Sequence, residues 1–272
     1  MPDAVAIQGE AGSFSHAAAL ETHGDVIRLV PCATFVELFR AVEGGEATSG
    51  VVPIENTLAG SVHENYDLLS AHALHVIAET ELRIRHCLIA SPRTTLPQIR
   101  RVASHPVALA QCRRFFLTHP DVVAVPAYDT AGSVRDLMSG KVDADAAIAS
   151  KLAAELYGAD VIAEGLEDHA ENYTRFLVVA REPAARATAE SNKTSVMVSL
   201  GNTPGSLYRA LGVFAAHGLN LTKIESRPLP GRPWEYLFYL DVVDTGQGIG
   251  AALEELRAFT FGIRVLGTYP AR

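Results

Sequence analysis

The stretch that decides the fold is at the start of the chain, where Val5-Ala6-Ile7 is followed by Gly9-Glu10-Ala11-Gly12-Ser13-Phe14-Ser15-His16. The short apolar run predicts a strand, the glycine-rich segment predicts a loop, and a helical pattern begins at Phe14. The same kinds of element return downstream, where Thr34 is placed to cap a helix and residues 50–54 have the composition of a buried strand. Alternating strands and helices predict βαβ units and a mostly parallel sheet with both faces covered.

Farther along, residues 74–91 are apolar and rich in β-formers over a length that exceeds one typical strand. We interpret them as two linked strands that cross from one lobe to another. The alternation then resumes, with strands predicted at 101–103, 122–125, 146–148 and 173–179 and helices at 61–69, 106–117, 130–138 and 150–157. This pattern favours an α/β domain over residues 1–181 with two lobes and a central cleft, an architecture like that of periplasmic binding proteins. We place lobe 1 at about 1–76 plus 165–181 and lobe 2 at about 77–164.

A linker is predicted at residues 182–193, which contain no large apolar residue. Beyond it, strands at 194–200, 219–226, 234–243 and 263–268 and helices at 204–217 and 250–259 follow the order βαββαβ. That order predicts a second domain, residues 194–272, with an α+β ferredoxin-like fold.

The composition is that of an ordinary globular protein, with 48% hydrophobic and 20% charged residues. A net charge of −8 and the lack of a dense basic run argue against nucleic-acid binding. Three widely spaced cysteines, Cys32, Cys87 and Cys112, favour reduced thiols. The N-terminus lacks the pattern of a secretory signal, and no apolar run reaches the ~18 residues of a membrane span. We therefore expect a soluble cytoplasmic protein.

The loop between Gly9 and Ser13 is a candidate anion site, because backbone N–H groups at a helix start attract a carboxylate or phosphate. An ordinary turn followed by an N-cap explains the same residues equally simply. The pattern G-x-x-x-x-G-K-[ST] is missing, which disfavours a nucleotide.

Two polar stretches follow predicted strands, where open α/β folds place their ligands. Glu55, Asn56 and Thr57 come after the buried strand at 50–54. The alternative is that Asn56 and Thr57 serve only to cap the next helix. Ser104 is a candidate N-cap, and Gln111 is expected in the middle of the helix that follows it.

The stretch Asn172-Tyr173-Thr174-Arg175-Phe176 puts amide, hydroxyl and guanidinium groups inside an otherwise apolar strand, where unpaired polar groups are costly. Strand alternation directs Thr174 and Arg175 to opposite faces unless a bulge intervenes. Either a ligand satisfies these groups or they form a strand-end ion pair, for example with Glu171.

Two pairs of side chains have the spacing of metal ligands: His72 with His75, and His86 with Cys87. No matching second pair exists for either, so no metal site is expected.

Several stretches in the first 180 residues carry a resemblance to a known family through their order and spacing. They are Gly9-Glu10-Ala11-Gly12-Ser13-Phe14-Ser15-His16, Val52-Pro53-Ile54-Glu55-Asn56, Gly60-Ser61-Val62, Asp67-Leu68-Leu69, Ser104-His105-Pro106, Ala110-Gln111-Cys112, Ala146-Ala147-Ile148-Ala149-Ser150, Tyr157-Gly158 and Asn172-Tyr173-Thr174-Arg175-Phe176. Together they resemble prephenate dehydratase. The C-terminal stretches Asn202-Thr203-Pro204-Gly205-Ser206-Leu207 and Gly218-Leu219-Asn220-Leu221-Thr222-Lys223-Ile224-Glu225-Ser226-Arg227-Pro228 resemble the ACT regulatory domain of that family.

Three features depart from the family's usual pattern. Asp129-Thr130-Ala131-Gly132-Ser133-Val134 replaces the more usual run of small residues after Ser-Thr-Ala, and Ser206 stands where the effector loop more often carries Ala. The chain also begins directly with the dehydratase strand, so we expect a monofunctional enzyme without a chorismate mutase segment.

The resemblance implies the decarboxylating dehydration of prephenate to phenylpyruvate, carbon dioxide and water in L-phenylalanine biosynthesis. It implies feedback by phenylalanine through the ACT domain, and no metal or organic cofactor. A homodimer or homotetramer is implied because the family's effector lies between ACT units of different subunits. The alternatives are arogenate dehydratase and a non-catalytic two-lobed amino-acid sensor.

By the same resemblance Thr174 holds the leaving hydroxyl, with Glu55 and Asn56 as further catalytic residues. The substrate-binding candidates are Ser13, Ser104, Gln111, Arg175 and Phe176, of which Arg175 either anchors a carboxylate or holds the hinge and Phe176 is expected mainly to pack. The candidates for effector binding are Gly205, Ser206, Leu207, Asn220, Leu221, Glu225, Ser226 and Arg227.

Overall fold

The computed structural model describes residues 2–183, 192–229, 231–244 and 248–271. The elements up to residue 180 are β1 (Asp3–Gln8), α1 (Phe14–His23), β2 (Ile27–Cys32), α2 (Phe35–Glu43), β3 (Ser49–Asn56), β4 (Gly60–Ser61), α3 (His63–Ala71), β5 (His75–Arg83), β6 (Cys87–Ala90), a 3-10 turn (Leu96–Gln98), β7 (Arg101–Ser104), α4 (Pro106–Gln111), α5 (Arg113–Thr118), β8 (Val123–Pro126), α6 (Thr130–Met138), β9 (Ala146–Ala149), α7 (Lys151–Tyr157), β10 (Asp160–Glu164) and β11 (Tyr173–Ala180). The elements after it are β12 (Lys193–Leu200), α8 (Ser206–Ala216), β13 (Asn220–Pro228), β14 (Tyr236–Val243), α9 (Gly250–Arg257) and β15 (Gly262–Tyr269).

The first sheet has the strand order β2-β1-β3-β11-β5, with β4 paired to β3. β1 is parallel to both β2 and β3. Val5, Ala6 and Ile7 in β1 are fully buried, as a strand covered on both faces requires. The βαβ units predicted from the opening stretch are therefore confirmed, and Thr34 caps α2 by accepting a hydrogen bond from the Glu37 amide at 3.2 Å.

The second sheet has the order β10-β6-β9-β7-β8. Every residue of β6 and β9 is buried, because apolar clusters cover both faces of these strands. The two sheets form two α/β lobes, which confirms the two-lobed fold. The two strands predicted within residues 74–91 are confirmed as β5 and β6.

Two helices differ from their predicted bounds because of contacts with other segments of the chain. The helix predicted over 106–117 is broken at Cys112, because the Asp168 carboxylate accepts hydrogen bonds from the Arg113 and Arg114 amides and so starts α5 separately. The helix predicted from Ser61 begins at His63, because Gly60–Ser61 pairs with the end of β3 as β4.

The third sheet is antiparallel, with the order β13-β14-β12-β15. Its strands and the two helices α8 and α9 share a core that includes Val196, Val198, Phe214, Leu240 and Leu256. The ferredoxin-like βαββαβ order is therefore confirmed. β12 begins at Lys193, and most of the predicted linker, residues 184–191, lies outside the described residues.

Backbone contacts divide the chain into two compact units. The first unit comprises Met1–Ser61 and Thr80–Phe176, and the second comprises Val62–Glu79 and Leu177–Arg272. The predicted bounds of the domains and lobes stay predictions. In the described parts of the chain, no helix is long and apolar enough to cross a membrane.

Candidate active site

Asn56 and Thr174 meet at one edge of the first sheet, because β3 ends at Asn56 and its neighbour β11 carries Thr174 as its second residue. The Asn56 side-chain amide nitrogen lies 3.0 Å from the Thr174 hydroxyl oxygen, 2.7 Å from the Asn172 side-chain oxygen and 3.0 Å from the Tyr173 carbonyl oxygen. Thr174 is 9% exposed. Two of the three residues assigned to catalysis by resemblance, Asn56 and Thr174, are thus in direct contact.

The orientation of the Asn56 amide is decided by the backbone that follows it. Its side-chain oxygen accepts hydrogen bonds from the Leu58 amide at 3.0 Å and the Ala59 amide at 2.8 Å. The nitrogen must therefore face Thr174, and an amide nitrogen can only donate. Thr174 Oγ1 accepts this hydrogen bond, so its own hydrogen points away from Asn56. Of the two interpretations of Glu55-Asn56-Thr57, helix capping is wrong for Asn56, which instead shapes the turn before β4.

A second group of polar side chains continues from Asn172. Asn172 Nδ2 donates to Gln111 Oε1 at 3.2 Å, and the same oxygen lies 2.9 Å from His86 Nε2. Gln111 is the last residue of α4 rather than a mid-helix residue, and its carbonyl accepts from the Asp168 amide at 2.7 Å. Burial lowers the pKa of His86.

Sequence reasoning missed two members of this group. The sequence indicates His86 only as half of a candidate metal pair, and it indicates no separate role for Asn172. The available signal was their polarity next to buried strands, since His86 precedes β6 and Asn172 precedes β11.

Ser104 has a structural role instead of the predicted cap. It is fully buried at the end of β7, and its hydroxyl donates to the Ile148 carbonyl at 2.6 Å, which ties β7 to β9. His105 is the N-cap of α4, because its imidazole accepts from the Val107 amide. The N-cap prediction for Ser104 is therefore wrong by one residue.

The remaining substrate candidates on strands are distributed over both faces. Phe176 is 2% exposed and packs in the interior, as expected. Arg175 is half-buried between Thr174 and Phe176, so in an alternating strand its side chain leaves from the face opposite to Thr174. Glu55 is half-buried on β3, next to Asn56. Substrate contact by these three residues stays a prediction.

The Gly9–Ser13 loop joins lobe 1 to lobe 2 through its carbonyl groups. The Ser150 hydroxyl donates to the Gly12 carbonyl at 2.5 Å, and the Tyr157 hydroxyl donates to the Ala11 carbonyl at 2.9 Å. A Cβ on Gly12, whose φ is +89°, would lie 2.8 Å from the Ala153 Cα. Only glycine allows α7 to approach the loop this closely.

Several of the N–H groups on which the predicted anion seat would depend already have partners. The Gly12 amide donates to His16 Nδ1 at 3.0 Å, and the Ser13 amide donates to the Glu10 carbonyl at 3.1 Å. The Ser13 hydroxyl accepts from the His16 amide as the N-cap of α1. Glu10 also pairs with Arg135 of lobe 2 at 2.8 Å. The loop is thus a turn with an N-cap, and anion or substrate binding at Ser13 stays a prediction.

The departure at residues 129–134 has a physical explanation. The Asp129 carboxylate accepts from the Gly132 amide at 2.7 Å and so caps α6, and burial raises its pKa. A Cβ on Gly132 would overlap the Tyr128 hydroxyl, which donates to Glu10 at 3.2 Å. Gly132 thus leaves room for the Tyr128 ring at the junction of the lobes.

The effector candidates lie in the second unit, and two of them are engaged with α3. The Arg227 guanidinium binds both carboxylate oxygens of Asp67, at 2.9 and 2.6 Å, and Glu225 pairs with His63 at 3.3 Å. Effector binding by these residues stays a prediction.

The other effector candidates lie at the start of α8 or on β13. Gly205 has φ +81° just before α8, and the Ser206 hydroxyl donates to the Thr203 carbonyl at 2.9 Å. Leu207 and Leu221 pack against the core of the third sheet, whereas Asn220 and Ser226 are exposed.

Comparisons with known proteins decide the family. The family model of prephenate dehydratase matches residues 5–184, and the model of the ACT domain matches residues 194–260. The chain belongs to the prephenate dehydratase family. It is therefore a lyase of the decarboxylating dehydratase class.

Relatives support this assignment along nearly the whole chain. Arogenate dehydratase/prephenate dehydratase 2, chloroplastic, of Arabidopsis thaliana is 43% identical over 277 residues, which cover 98% of this chain and 72% of that protein. The crystal structure of prephenate dehydratase from Arthrobacter aurescens in complex with L-Phe has a TM-score of 0.90 at 32% identity and covers 98% of this chain and 90% of its own. The structure of GqqA, described as a novel type of quorum quenching acylase, has a TM-score of 0.89 at 35% identity over 99% and 98% of the two chains.

Proposed function

We propose that this chain converts prephenate into phenylpyruvate, carbon dioxide and water. In this reaction the bond from the ring to its carboxylate breaks, and its electron pair enters the ring as carbon dioxide leaves. The bond from C4 to the hydroxyl breaks at the other end of the ring, and the departing oxygen takes up a proton to become water. Aromatisation of the ring supplies the driving force, so the protein has only to place the two leaving groups and stabilise the charge on the departing oxygen.

The observation that carries the proposal is the contact between Asn56 and Thr174. Because Asn56 donates to Thr174 Oγ1, the hydroxyl hydrogen of Thr174 points away from Asn56. A threonine hydroxyl is too weak an acid to be the general acid near neutral pH. It acts instead as a fixed hydrogen-bond donor to the oxygen as negative charge develops there.

The junction of the two lobes supports a further condition that helps the loss of carbon dioxide, a site with little water. The Gly9–Ser13 loop of lobe 1 binds Ser150, Tyr157 and Arg135 of lobe 2. Such a joint allows the lobes to enclose the substrate, and exclusion of water favours loss of the charged carboxylate.

Phenylalanine is the proposed effector, and the second unit is its proposed site. The support is the ACT match over residues 194–260 and the similarity to the Arthrobacter aurescens enzyme that is solved with L-Phe. We further propose a homo-oligomer, because this unit exposes the large side chains of Tyr208, Trp234 and Phe261. A cytoplasmic location is proposed from the three cysteines, all of which are free and buried.

Arogenate is a second candidate substrate, because the Arabidopsis relative at 43% identity is named for both activities. Arogenate differs from prephenate only at the α-carbon of the side chain, which takes no part in the bonds that break. The same Thr174 chemistry would therefore serve either substrate.

The test is a steady-state assay of the purified chain with each substrate, following phenylpyruvate from prephenate and phenylalanine from arogenate. We expect Thr174→Val to lower kcat by about 10²- to 10³-fold, the usual effect of removing one transition-state donor. Thr174→Ser keeps the hydroxyl and is the matched control. Near-normal kcat in Thr174→Val would refute the role of the hydroxyl. Added L-phenylalanine should change the rate of the wild-type chain, and no change at any concentration would refute the regulation.

A further inference from the structure

A row of buried polar side chains leads away from Thr174, and its far members have no role in the function proposed so far. Asn172 is fully buried and His86 is 2% exposed. The row runs from His86 Nε2 to Gln111 Oε1 at 2.9 Å, from Asn172 Nδ2 to the same oxygen at 3.2 Å, and from Asn56 Nδ2 to Asn172 Oδ1 at 2.7 Å.

The donor and acceptor roles along this row follow from one fixed end. The Leu58 and Ala59 amides donate to Asn56 Oδ1, so Asn56 Nδ2 must donate to Asn172. Asn172 therefore presents its oxygen to Asn56 and its nitrogen to Gln111. Gln111 must in turn present its oxygen.

The far end of the row is then determined as well. Facing a Gln111 oxygen, His86 Nε2 has to carry the hydrogen, and Nδ1 carries the lone pair. Within the described residues the buried Nδ1 atom has no hydrogen-bond partner, and the Phe14 ring lies edge-on to the imidazole with centroids 5.4 Å apart. A proton on Nδ1 would give the buried ring a positive charge and an N–H group that no described acceptor receives, which favours the neutral imidazole.

We propose that His86, as the neutral Nε2–H tautomer, and Asn172 are positioning residues that set the direction of the Thr174 hydroxyl. Each donor in the row holds the next amide in one of its two orientations. With the Nε2–H donor in place, Gln111 keeps its oxygen towards Asn172, and Asn172 keeps its oxygen towards Asn56. This restraint adds to that of the Leu58 and Ala59 amides and holds the Asn56 donor in place against Thr174 Oγ1. The inference rests on the proposed role of Thr174 and extends it to two residues that do not touch the substrate.

The first experiment compares two substitutions of His86 that preserve its bulk. His86→Leu removes the donor, and we expect kcat for prephenate to fall about 10- to 100-fold with KM within about threefold, the effect of one misdirected hydrogen bond. His86→Gln restores an N–H near the position of Nε2 and should recover most of that loss. Equal losses in both variants would overturn the proposal.

A double-mutant cycle separates direction of the hydroxyl from general damage to the fold. In the Thr174→Val background there is no hydroxyl to direct, so His86→Leu should lower kcat no further. A fully additive loss would show a merely structural role and overturn the proposal. If His86→Leu does not fold, Asn172→Ala takes its place in the same cycle.

The cycle also distinguishes this inference from the proposed function. Normal kcat in Thr174→Val defeats both, whereas a low kcat in Thr174→Val with normal kcat in His86→Leu defeats only the positioning role. Nitrogen-15 NMR of the imidazole gives an independent readout, with a protonated Nε2 and a bare Nδ1 expected near neutral pH. A resting protonated Nδ1 would contradict the assignment.

Discussion

Two buried polar networks in this protein are built from different chemistry. The network in the first unit, which runs from His86 to Thr174, consists of neutral amide, imidazole and hydroxyl groups. The network in the second unit pairs Lys193 with Glu79 at 2.5 Å, and both side chains are almost fully buried.

The two networks also differ in how they end. In the second unit, Ser195 contacts both the Asp241 carboxylate at 2.5 Å and the Tyr269 hydroxyl at 2.6 Å, so its polar groups satisfy one another. In the first unit, Thr174 accepts from Asn56, and no described residue receives its hydrogen. A closed network holds strands in register, whereas an open one leaves a directed donor for a ligand.

The choice of neutral groups in the open network has a physical reason. A buried charge would need a counter-charge whenever the site is empty, and it would alter the binding of a dianionic substrate. Amide dipoles held in one orientation provide directed donors without that requirement. The comparison predicts that charge removal harms the fold of the second unit and that loss of donors harms the chemistry of the first.

The largest effect is expected at Lys193. Lys193→Met leaves the Glu79 carboxylate buried without this partner, and should lower the free energy of unfolding by about 3–5 kcal/mol. Chemical denaturation measures it. The double variant Lys193→Met/Glu79→Met should recover most of the loss, because replacing a buried pair by apolar residues is often nearly neutral. If Lys193→Met is as stable as the wild type, the buried Lys193–Glu79 pair does not stabilise the second unit.

The next effect is expected at Asn56, on activity rather than stability. Asn56→Asp keeps an oxygen for the Leu58 and Ala59 amides and removes the donor to Thr174. We expect kcat/KM to fall by about 10²- to 10³-fold. Asn56→Leu removes the turn acceptor as well and should also lower the melting temperature. Activity close to normal in Asn56→Asp would mean that the open network has no catalytic role.

A smaller effect is expected at the joint between the lobes. Gly12→Ala combines a φ of +89° with a clash against the Ala153 backbone, which should cost about 1–3 kcal/mol of stability. The matched control is Gly140→Ala, which has φ +67° and nothing within 4 Å of the new Cβ, so it carries the conformational cost alone. Thermal unfolding of both variants measures the difference. Equal losses would show that close approach of α7 is not essential.

The smallest effect concerns pH. Burial lowers the pKa of His86 below its ordinary value of 6.5, so the unfolded chain binds a proton more readily than the folded one. The stability from neutral His86 is full above pH 6.5 and declines as pH falls below that value. His86→Gln should flatten this part of the stability curve, measured by denaturation between pH 7 and 5. Burial also lowers the pKa of His16, so His16→Gln serves as the comparison variant. If the stability of His86→Gln falls with pH as steeply as that of the wild type, the prediction is contradicted.

Much of the fold follows from local sequence, and the bounds of α6, Thr130–Met138, are those predicted. Thr34 was recognised as a cap because its partner Glu37 lies three residues away. The break at Cys112 could not be seen locally, because the carboxylate that starts α5 belongs to Asp168, more than fifty residues farther along. β4 was missed because its pairing with β3 depends on the turn that Asn56 shapes.

The candidate site likewise combines residues that the sequence indicates with contacts that only the structure shows. Polar residues on or after apolar strands indicated Asn56 and Thr174, the resemblance added their roles and Gln111, and the structure brings all three into one network. The structure shows that Ser104 is not an N-cap, because its hydroxyl donates to the Ile148 carbonyl and so links β7 to β9. It also shows that the Gly9–Ser13 loop joins the two lobes, with the N–H groups of Gly12 and Ser13 already bonded, whereas anion binding by this loop stays a prediction.

By itself, the sequence determined the alternation of strands and helices, the two-lobed α/β domain, the βαββαβ unit and the family. These depend on the periodicity of apolar residues and on short motifs, which act over a few neighbouring positions. Only the tertiary structure decided which way each amide points and which hydroxyl remains open, because those orientations depend on partners up to 118 residues apart in the chain.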